Sequence, residues 1–285
     1  DDEANSIQQT KDGGYIVAGY KSGDVYILKL NSKGEIEWQK TFGGEYSDEA
    51  NSVQEIADGG YVVAGWTYSS DSEEDVYILK LNSKGELEWQ KTFGGKYDDV
   101  AESIQQTKDG GYIVAGYKGG DVYILKLNSK GEVEWQKTFG GKYGGGANSI
   151  QQTADGGYIV AGWTYSFGSG EADVYILKLN SKGEDEWEKT FGGEYRDEAN
   201  SIQQTTDGGY IVAGWTSSFG FGEADVYILK LNSKGQLEWE KTFGGEDSDW
   251  ANSIQQTADG GYIVAGYSSG DFYILKLNSK GEIDN

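Results

Sequence analysis

A repeated segment, DVYILKLNSKGEIEW at residues 24–38, constrains the fold of this chain more than any other feature. Closely similar copies begin at Asp75, Asp121, Asp173, Asp225 and Asp271. The apolar run Val25 to Leu30, broken only by Lys29, is typical of a strand covered on both faces. Asn31 to Gly34 follow as a turn signal, and we predict a three-residue hairpin loop in which Gly34 adopts a positive φ.

The hairpin loop also determines how its two strands are aligned. It predicts three cross-strand pairs: Leu30 opposite Ile36, Lys29 opposite Glu37, and Leu28 opposite Trp38. Apolar side chains then meet apolar ones and a cation meets a carboxylate, so all three pairs support the same register.

A second repeated unit, ANSIQQTKDGGYIVAG, precedes the first and also predicts strand, turn and strand. It begins at Ala4, with copies at Ala50, Ala101, Ala147, Ala199 and Ala251. Asp12 and Gly13 are the turn signal, and Tyr15 to Ala18 form a short apolar strand. Turns of two and of three residues both fit this pattern.

Six copies of four short strands are the sequence signature of a β-propeller. We therefore predict an all-β, six-bladed β-propeller with four antiparallel strands per blade, forming a single domain over residues 1–285. The expected blades are approximately 1–46, 47–97, 98–143, 144–195, 196–247 and 248–285. The last copy stops at Glu282 to Asn285, where the others continue into EWQKTFGG or EWEKTFGG, so the last blade lacks most of its outermost strand.

The order of these motifs resembles that of NHL-type and SBBP-type propeller blades. The runs beginning DGGYIVAG are most similar to bacterial and archaeal surface repeats, and the spacing from Gly34 to Trp38 resembles the tryptophan-docking motif of quinoprotein propellers. The resemblance implies that the first strand of each blade is innermost and the fourth outermost. It carries over no ligand for a quinone or a metal.

Composition narrows the possible functions. The net charge of −23 disfavours nucleic acid and anionic membranes as partners. Without cysteine or histidine the chain has no disulfide, thiol nucleophile or histidine base, and no carboxylate pair stands out as an acid and base. Asp1 is not a translational start. Export with signal removal explains this and predicts an extracellular or cell-surface protein, and removal of an expression tag explains it equally.

The shortened last blade predicts an assembly edge, because an uncovered apolar strand is a template for pairing with another chain. This edge comprises Phe272, Tyr273, Ile274, Leu275, Lys276, Leu277 and Ile283. The alternative is that the edge is tolerated, or covered by a neighbouring loop.

The links between the second and third strands, and between blades, vary in length and chemistry and form one end of the predicted propeller. Loops on a rigid scaffold often carry binding residues, and exposed rings beside carboxylates suit carbohydrate stacking. The candidate binding residues are Trp66, Tyr68, Trp163, Tyr165, Phe167, Trp215, Phe219, Phe221 and Trp250. Alternatively, these rings pack between loops and neighbouring blades.

Acidic residues concentrate at the same end. The densest segment supplies a candidate calcium site formed by Asp71, Glu73, Glu74 and Asp75, because calcium takes six to eight oxygen ligands. The segment lacks the spacing and fixed glycine of an EF-hand loop, and the preferred alternative is a solvated acidic loop. The aspartates that begin the third strands, Asp24 and its copies, are expected to accept hydrogen bonds from nearby backbone.

These observations favour a non-enzymatic structural or assembly protein that contacts copies of itself or other surface proteins. Two alternatives stay open. One is a glycan-binding propeller that uses the aromatic loops, with or without calcium. The other is an engineered repeat protein without a natural ligand, against which the uneven loop lengths argue.

Overall fold

A computed structural model describes residues 2–68, 73–168 and 170–284 and confirms the six-bladed β-propeller. Five sheets have four antiparallel strands in chain order and the last sheet has three. The chain divides into two compact units, Asp1–Phe139 with the first three blades and Gly140–Asn285 with the last three. In the part that the structure describes, no helix is long and apolar enough to cross a membrane. The expectation of a single domain stays a prediction.

The first unit contains twelve strands. The first blade has β1 (Asp2–Gln9), β2 (Tyr15–Lys21), β3 (Asp24–Leu30) and β4 (Ile36–Phe42); the second has β5 (Asp48–Glu55), β6 (Tyr61–Tyr68), β7 (Glu74–Leu81) and β8 (Leu87–Phe93); the third has β9 (Asp99–Gln106), β10 (Tyr112–Lys118), β11 (Asp121–Leu127) and β12 (Val133–Phe139).

The second unit contains eleven strands. The fourth blade has β13 (Gly145–Gln152), β14 (Tyr158–Thr164), β15 (Asp173–Leu179) and β16 (Asp185–Phe191); the fifth has β17 (Asp197–Gln204), β18 (Tyr210–Thr216), β19 (Asp225–Leu231) and β20 (Leu237–Phe243); the last has β21 (Asp249–Gln256), β22 (Tyr262–Ser268) and β23 (Asp271–Leu277). Beyond β23 the described residues form a single bridge, between Leu277 and Ile283, in place of a fourth strand, as predicted.

The β3–β4 hairpin has the predicted three-residue loop. Gly34 has φ +79° and donates its N–H to the Asn31 carbonyl at 3.0 Å. The Asn31 side chain accepts from the N–H groups of Lys33 and Glu35 at 2.9 and 3.0 Å, which explains the repeated asparagine. The β1–β2 turn has the same hydrogen-bond pattern, with Gly13 at φ +82°, so its loop also has three residues.

The predicted register of this hairpin is correct at one pair and wrong at two. Leu30 lies opposite Ile36, but the following pairs are Lys29 with Trp38 and Leu28 with Gln39. An irregularity between Lys29 and Leu30 leaves Glu37 without a cross-strand partner. Its carboxylate instead lies 3.0 Å from the Lys29 ammonium, which is buried and also contacts Asp12 at 2.8 Å. The predicted contact between Lys29 and Glu37 is therefore made as an ion pair, and Asp12 adds a second carboxylate that the sequence did not predict.

Neighbouring blades pack through apolar faces. In the first unit, Val25 and Ile27 of β3 are at most 1% exposed because they lie against Val53, Tyr61 and Val63 of the second blade. Removing such side chains from water stabilises by about 1.5 to 3 kcal/mol each. Equivalent clusters join the second blade to the third, the fourth to the fifth and the fifth to the last.

The tryptophans of four outer strands reach the next blade. Trp38 lies beside Gly85, where a Cβ would come within 2.8 Å of the indole, and makes an edge contact with Tyr61 at 5.7 Å. Trp89, Trp187 and Trp239 are placed in the same way against Gly131, Gly235 and Gly281. The glycine therefore has two roles: it adopts the positive φ of its turn, and its lack of a Cβ leaves room for the tryptophan of the preceding blade, a place that we call the seat.

The innermost strands are joined by polar side chains of the NSIQQ motif. Between the first two blades, Asn5 donates to the Ala50 carbonyl at 3.2 Å, and Ser6 accepts from the Val53 N–H at 3.2 Å. Gln8 accepts from the Glu55 N–H at 2.7 Å. The same contacts occur at the other three blade junctions within the units. These side chains satisfy backbone groups that a free strand edge leaves without partners.

Candidate protein-binding surfaces

The last blade presents both an uncovered edge and an uncovered face. Phe272 and Ile274 of β23 are 98% and 61% exposed, whereas the equivalent Val226 and Ile228 of the fifth blade are fully buried. Leu275 and Leu277 point to the other face and are buried against the fifth blade. Along Asp271–Lys276 no described strand occupies the position that β20 has beside β19.

The other residues of the predicted assembly edge are partly shielded. Tyr273 packs against the apolar cluster shared with the fifth blade. Lys276 lies 2.9 Å from Asp259 and is one-third exposed, whereas its counterpart Lys230 is almost fully buried. Ile283 forms the single bridge and is half exposed. The predicted edge therefore separates into an accessible part at Phe272 and Ile274 and a packed part.

The first blade presents a second uncovered face, which the sequence reading missed. Ile7 is 66% exposed, whereas its equivalents Val53, Ile104, Ile202 and Ile254 are each 5% exposed. The seat at Gly34 is vacant too, because a Cβ there would meet none of the described residues within 4 Å. The repeats conceal this feature, since the first blade has the same residues as the others and differs only in what covers them.

The predicted aromatic residues of the first unit form one pair. Trp66 and Tyr68 make an edge contact at 5.4 Å, and Tyr68 is 37% exposed. Glu74 lies beside them, and burial together with the nearby Asp98 raises the pKa of its carboxyl group. Asp71 lies outside the described residues. Glu73, Glu74 and Asp75 belong to no group of three or more possible metal ligands in the described chain.

In the second unit the predicted rings mostly contact one another or a neighbouring strand. Trp163 contacts Tyr165 at 5.1 Å. Phe167 stacks on Tyr175 at 6.1 Å, and Phe219 packs on Tyr227 in the equivalent place at 5.8 Å. Phe221 is 78% exposed, so it is the most accessible of the predicted aromatic residues.

The remaining aromatic residues form a ladder across the fifth and last blades. Arg196 lies over Trp215 at 5.6 Å, Trp215 contacts Trp250 at 6.1 Å, and Trp250 contacts Tyr267 at 5.8 Å. Trp250 and Tyr267 are about 40% exposed. The alternative expectation, that these rings pack against their neighbours, therefore applies to Trp215, whose ring contacts both Arg196 and Trp250. Trp250 and Tyr267 keep accessible surface.

Several aspartates at this end of the blades accept hydrogen bonds from backbone N–H groups. Asp225 accepts from the Phe221 N–H at 2.7 Å, as expected for the aspartates that begin the third strands. The sequence reading missed a second set at the start of the innermost strands: Asp48, Asp197 and Asp249 accept from the N–H groups of Gly44, Gly193 and Gly245. Their position four residues after each glycine is the signal that could have revealed them.

One blade replaces its motif asparagine with a carboxylate. Glu102 stands where the equivalent positions have Asn5, Asn51, Asn148, Asn200 and Asn252. It accepts a hydrogen bond from Asn51 at 3.1 Å. Burial, with smaller contributions from Glu49 and Glu74, raises the pKa of Glu102 to about 7.

An acidic groove of about 370 Å³ lies beside the aromatic ladder of the second unit. Its lining includes Glu223, Glu246 and Asp247 together with Tyr267. Carboxylates beside an aromatic ring suit a lysine or arginine side chain. This surface is therefore chemically suited to a basic segment of another protein.

Comparison with family models shows which family the chain belongs to. The model of the PQQ_2 family, described as outer membrane protein assembly factor BamB, matches residues 3–211, which is more than half of the chain. The chain belongs to the PQQ_2 family. A β-propeller domain of unknown function, DUF5122, matches residues 257–285. The resemblance to propeller repeats drawn from the sequence is thus confirmed. No curated protein matches this PQQ_2 family member.

Solved structures with the same fold differ widely in sequence. The WD40 domain of Neurospora crassa Pan2 has a TM-score of 0.64 at 13% identity, covering 98% of this chain and 77% of that one. A glucose dehydrogenase has a TM-score of 0.58 at 10% identity, with 97% and 98% covered. YCF48 bound to a D1 peptide has a TM-score of 0.55 at 10% identity, with 98% and 80% covered. At these identities the likeness concerns the fold alone.

Proposed function

We propose that this protein is a non-enzymatic scaffold of the cell surface or extracellular space, which binds proteins by accepting an extended strand at its last blade. The observation that carries the proposal is the open edge of β23. In the other blades the equivalent strand pairs with an outer strand ending in TF, and here no described residue takes that position along Asp271–Leu275, before Asp284 donates to the Lys276 carbonyl at 3.0 Å. An apolar strand edge without a partner adds a strand from another chain by main-chain hydrogen bonding.

The chain itself indicates the chemistry of the added strand. In the five complete blades the outer strand alternates exposed residues with a partly buried tryptophan and phenylalanine, such as Trp38 and Phe42. A partner strand with a Trp-x-x-x-Phe spacing would therefore fit best. The family description as an assembly factor, and the peptide bound to YCF48, support a protein or peptide partner.

A peptide-binding experiment tests this role. The peptide EIEWQKTFGG, copied from residues 35–44, should bind and should slow hydrogen exchange of the amides in 271–277. A matched peptide with proline in place of the lysine should bind far more weakly, because proline removes a ladder donor. If the first peptide neither binds nor protects β23, strand addition is not the function.

The aromatic ladder supports a second candidate function. Trp250 and Tyr267 offer two partly exposed rings 5.8 Å apart beside the acidic groove, an arrangement that suits stacking on a sugar. A glycan array would test it with Trp215→Ala and Trp250→Ala, with Trp163→Ala as a test of the separate pair of Trp163 and Tyr165, and with Tyr46→Ala, an exposed ring of the first unit, as the control. If Trp215→Ala and Trp250→Ala bind like the unchanged protein, the ladder is not a glycan site.

A further inference from the structure

We infer that the last blade of one molecule docks on the first blade of a second molecule, through the contacts that join neighbouring blades within the chain. This inference rests on the proposed assembly role and names a second copy of the chain as the partner. It concerns the faces of the two terminal blades, whereas strand addition concerns the edge of β23.

The junction between the fifth and last blades is the template for this contact. Val226 and Ile228 of β19 are fully buried there, because Ile254, Tyr262 and Val264 of the last blade cover them. Ser201 and Gln203 accept from the N–H groups of Ile254 and Gln256, and Asn200 donates to the Ala251 carbonyl at 2.9 Å. The contact thus combines an apolar face with a row of polar side chains.

The last blade presents the same kind of face that the fifth blade presents in this junction, but here the face is exposed. Phe272 and Ile274 occupy the positions of Val226 and Ile228 and are mostly exposed. A groove of about 320 Å³ beside them is lined in part by Asn252, Tyr267 and Phe272. The polar row of this blade, Asn252, Ser253 and Gln255, is exposed, and within the described chain it meets no next blade.

The first blade carries the residues that the last blade contributes to the other side of this junction. Its inner strands carry Ala4, Ile7, Tyr15 and Val17, which are the residue types that Ala251, Ile254, Tyr262 and Val264 provide in the template. Ile7 is 66% exposed instead of 5%. The backbone groups for the polar row are the Ala4 carbonyl and the N–H groups of Ile7 and Gln9. Both halves of a contact that occurs within the chain are therefore present, and both are exposed in the described structure.

A contact between two different faces of identical molecules is heterologous and can continue from one copy to the next. The template also shows what this contact would lack. Trp239 fills the seat at Gly281, but the last blade has no equivalent tryptophan for the vacant seat at Gly34. An outer-strand peptide bound to β23 would supply one, so the peptide EIEWQKTFGG should tighten the association between copies.

Sedimentation velocity over a range of protein concentrations tests the inference. The unchanged protein should form dimers and longer species as concentration rises. Ile7→Lys and Phe272→Lys should each weaken the association at least about 30-fold, as loss of a central apolar anchor does. Both residues are exposed, so circular dichroism should show unchanged folding. Phe221→Lys, at a site that is 78% exposed but outside both faces, is the matched control and should behave like the unchanged protein.

An equimolar mixture of the two lysine variants gives the sharpest result. Ile7→Lys keeps an intact last blade and Phe272→Lys keeps an intact first blade, so the mixture should form a one-to-one dimer and nothing longer. A monomer at every concentration of the unchanged protein overturns the inference, as does a mixture that remains monomeric. Peptide binding to monomeric Ile7→Lys is a separate readout: its loss would contradict strand addition while leaving the docking result intact.

Discussion

The fifth and last blades carry nearly the same strands but differ in what surrounds them. DVYILKL in the fifth blade and DFYILKL in the last form strands of equal length with the same pairing to the second strand. In the fifth blade Val226 and Ile228 are fully buried, whereas Phe272, which takes the place of Val226 in the last blade, is 98% exposed. The difference teaches that the repeat specifies the strand whether or not a neighbour covers it, so a free terminal face keeps the shape that a partner needs.

The largest expected effect compares one isoleucine in the two surroundings. Ile228→Ala should reduce the free energy of unfolding by about 2 to 5 kcal/mol, because it leaves a cavity under the last blade. Ile274→Ala, at the equivalent exposed position, should change it by less than about 0.5 kcal/mol. Urea unfolding of both variants measures the difference, and equal losses would show that the last face is covered in solution.

The hairpin-loop glycines Gly34 and Gly85 allow a similar comparison of exposed and covered surroundings in the first unit. Gly34 and Gly85 both have positive φ, so alanine should cost about 1 to 2 kcal/mol of strain at either. Gly85→Ala should cost about 1 to 3 kcal/mol more, because its Cβ would meet Trp38. Thermal and urea unfolding measure both variants. If Gly34→Ala is as damaging as Gly85→Ala, the seat at Gly34 is not vacant.

Glu102 provides the converse case, in which similar surroundings hold a different residue. Its folded-state pKa of about 7 lies above the ordinary value of 4.5, so its contribution to stability is present below about pH 4.5 and is lost as the pH rises toward 7. Glu102→Gln should therefore raise the free energy of unfolding at pH 8 by about 1 to 3 kcal/mol and have little effect at pH 4. A gain that does not depend on pH would refute this explanation.

The smallest expected effect concerns the carboxylates around the buried lysines. Hydrogen bonds from Thr205, Gly209 and Lys230 hold the pKa of Asp207 at about 2, against an opposing effect of burial. The stabilisation is present above about pH 4 and is lost as the pH falls through 2, and it should stay below about 1 kcal/mol because Asp207 is exposed to solvent. Asp207→Asn should flatten the acid limb of a stability–pH curve. A limb unchanged by the substitution would contradict this assignment.

The fold could be predicted from the sequence because each repeat contains complete local signals. Asn31 to Gly34 determine a loop by hydrogen bonds within that loop, and the truncated last blade follows from the missing EWQKTFGG. The shifted pairing of Lys29 could not be predicted, since it depends on a buried ammonium that attracts Glu37 and Asp12 together. The bonds made by Asn5, Ser6 and Gln8 also escaped prediction, because they cross between blades.

The candidate surfaces were only partly predictable for a related reason. Exposure depends on neighbours, and identical repeats carry no mark of which copy lacks one. The edge of β23 could be found because the sixth copy of the repeat does not contain the EWQKTFGG or EWEKTFGG segment of the other copies. The face at Ile7 could not be found, because every residue of the repeat is present. The ladder from Arg196 to Tyr267 joins links that are far apart in the sequence.

Cysteine reactivity would test most directly whether the last face is free. The chain has no cysteine, so Phe272→Cys and Val226→Cys each introduce a single thiol at equivalent positions. In dilute protein, the thiol at position 272 should react with a maleimide as fast as an exposed model thiol, and the thiol at position 226 at least about 100-fold more slowly, because it must wait for local opening. Equal protection of both thiols in dilute protein would contradict a free terminal face.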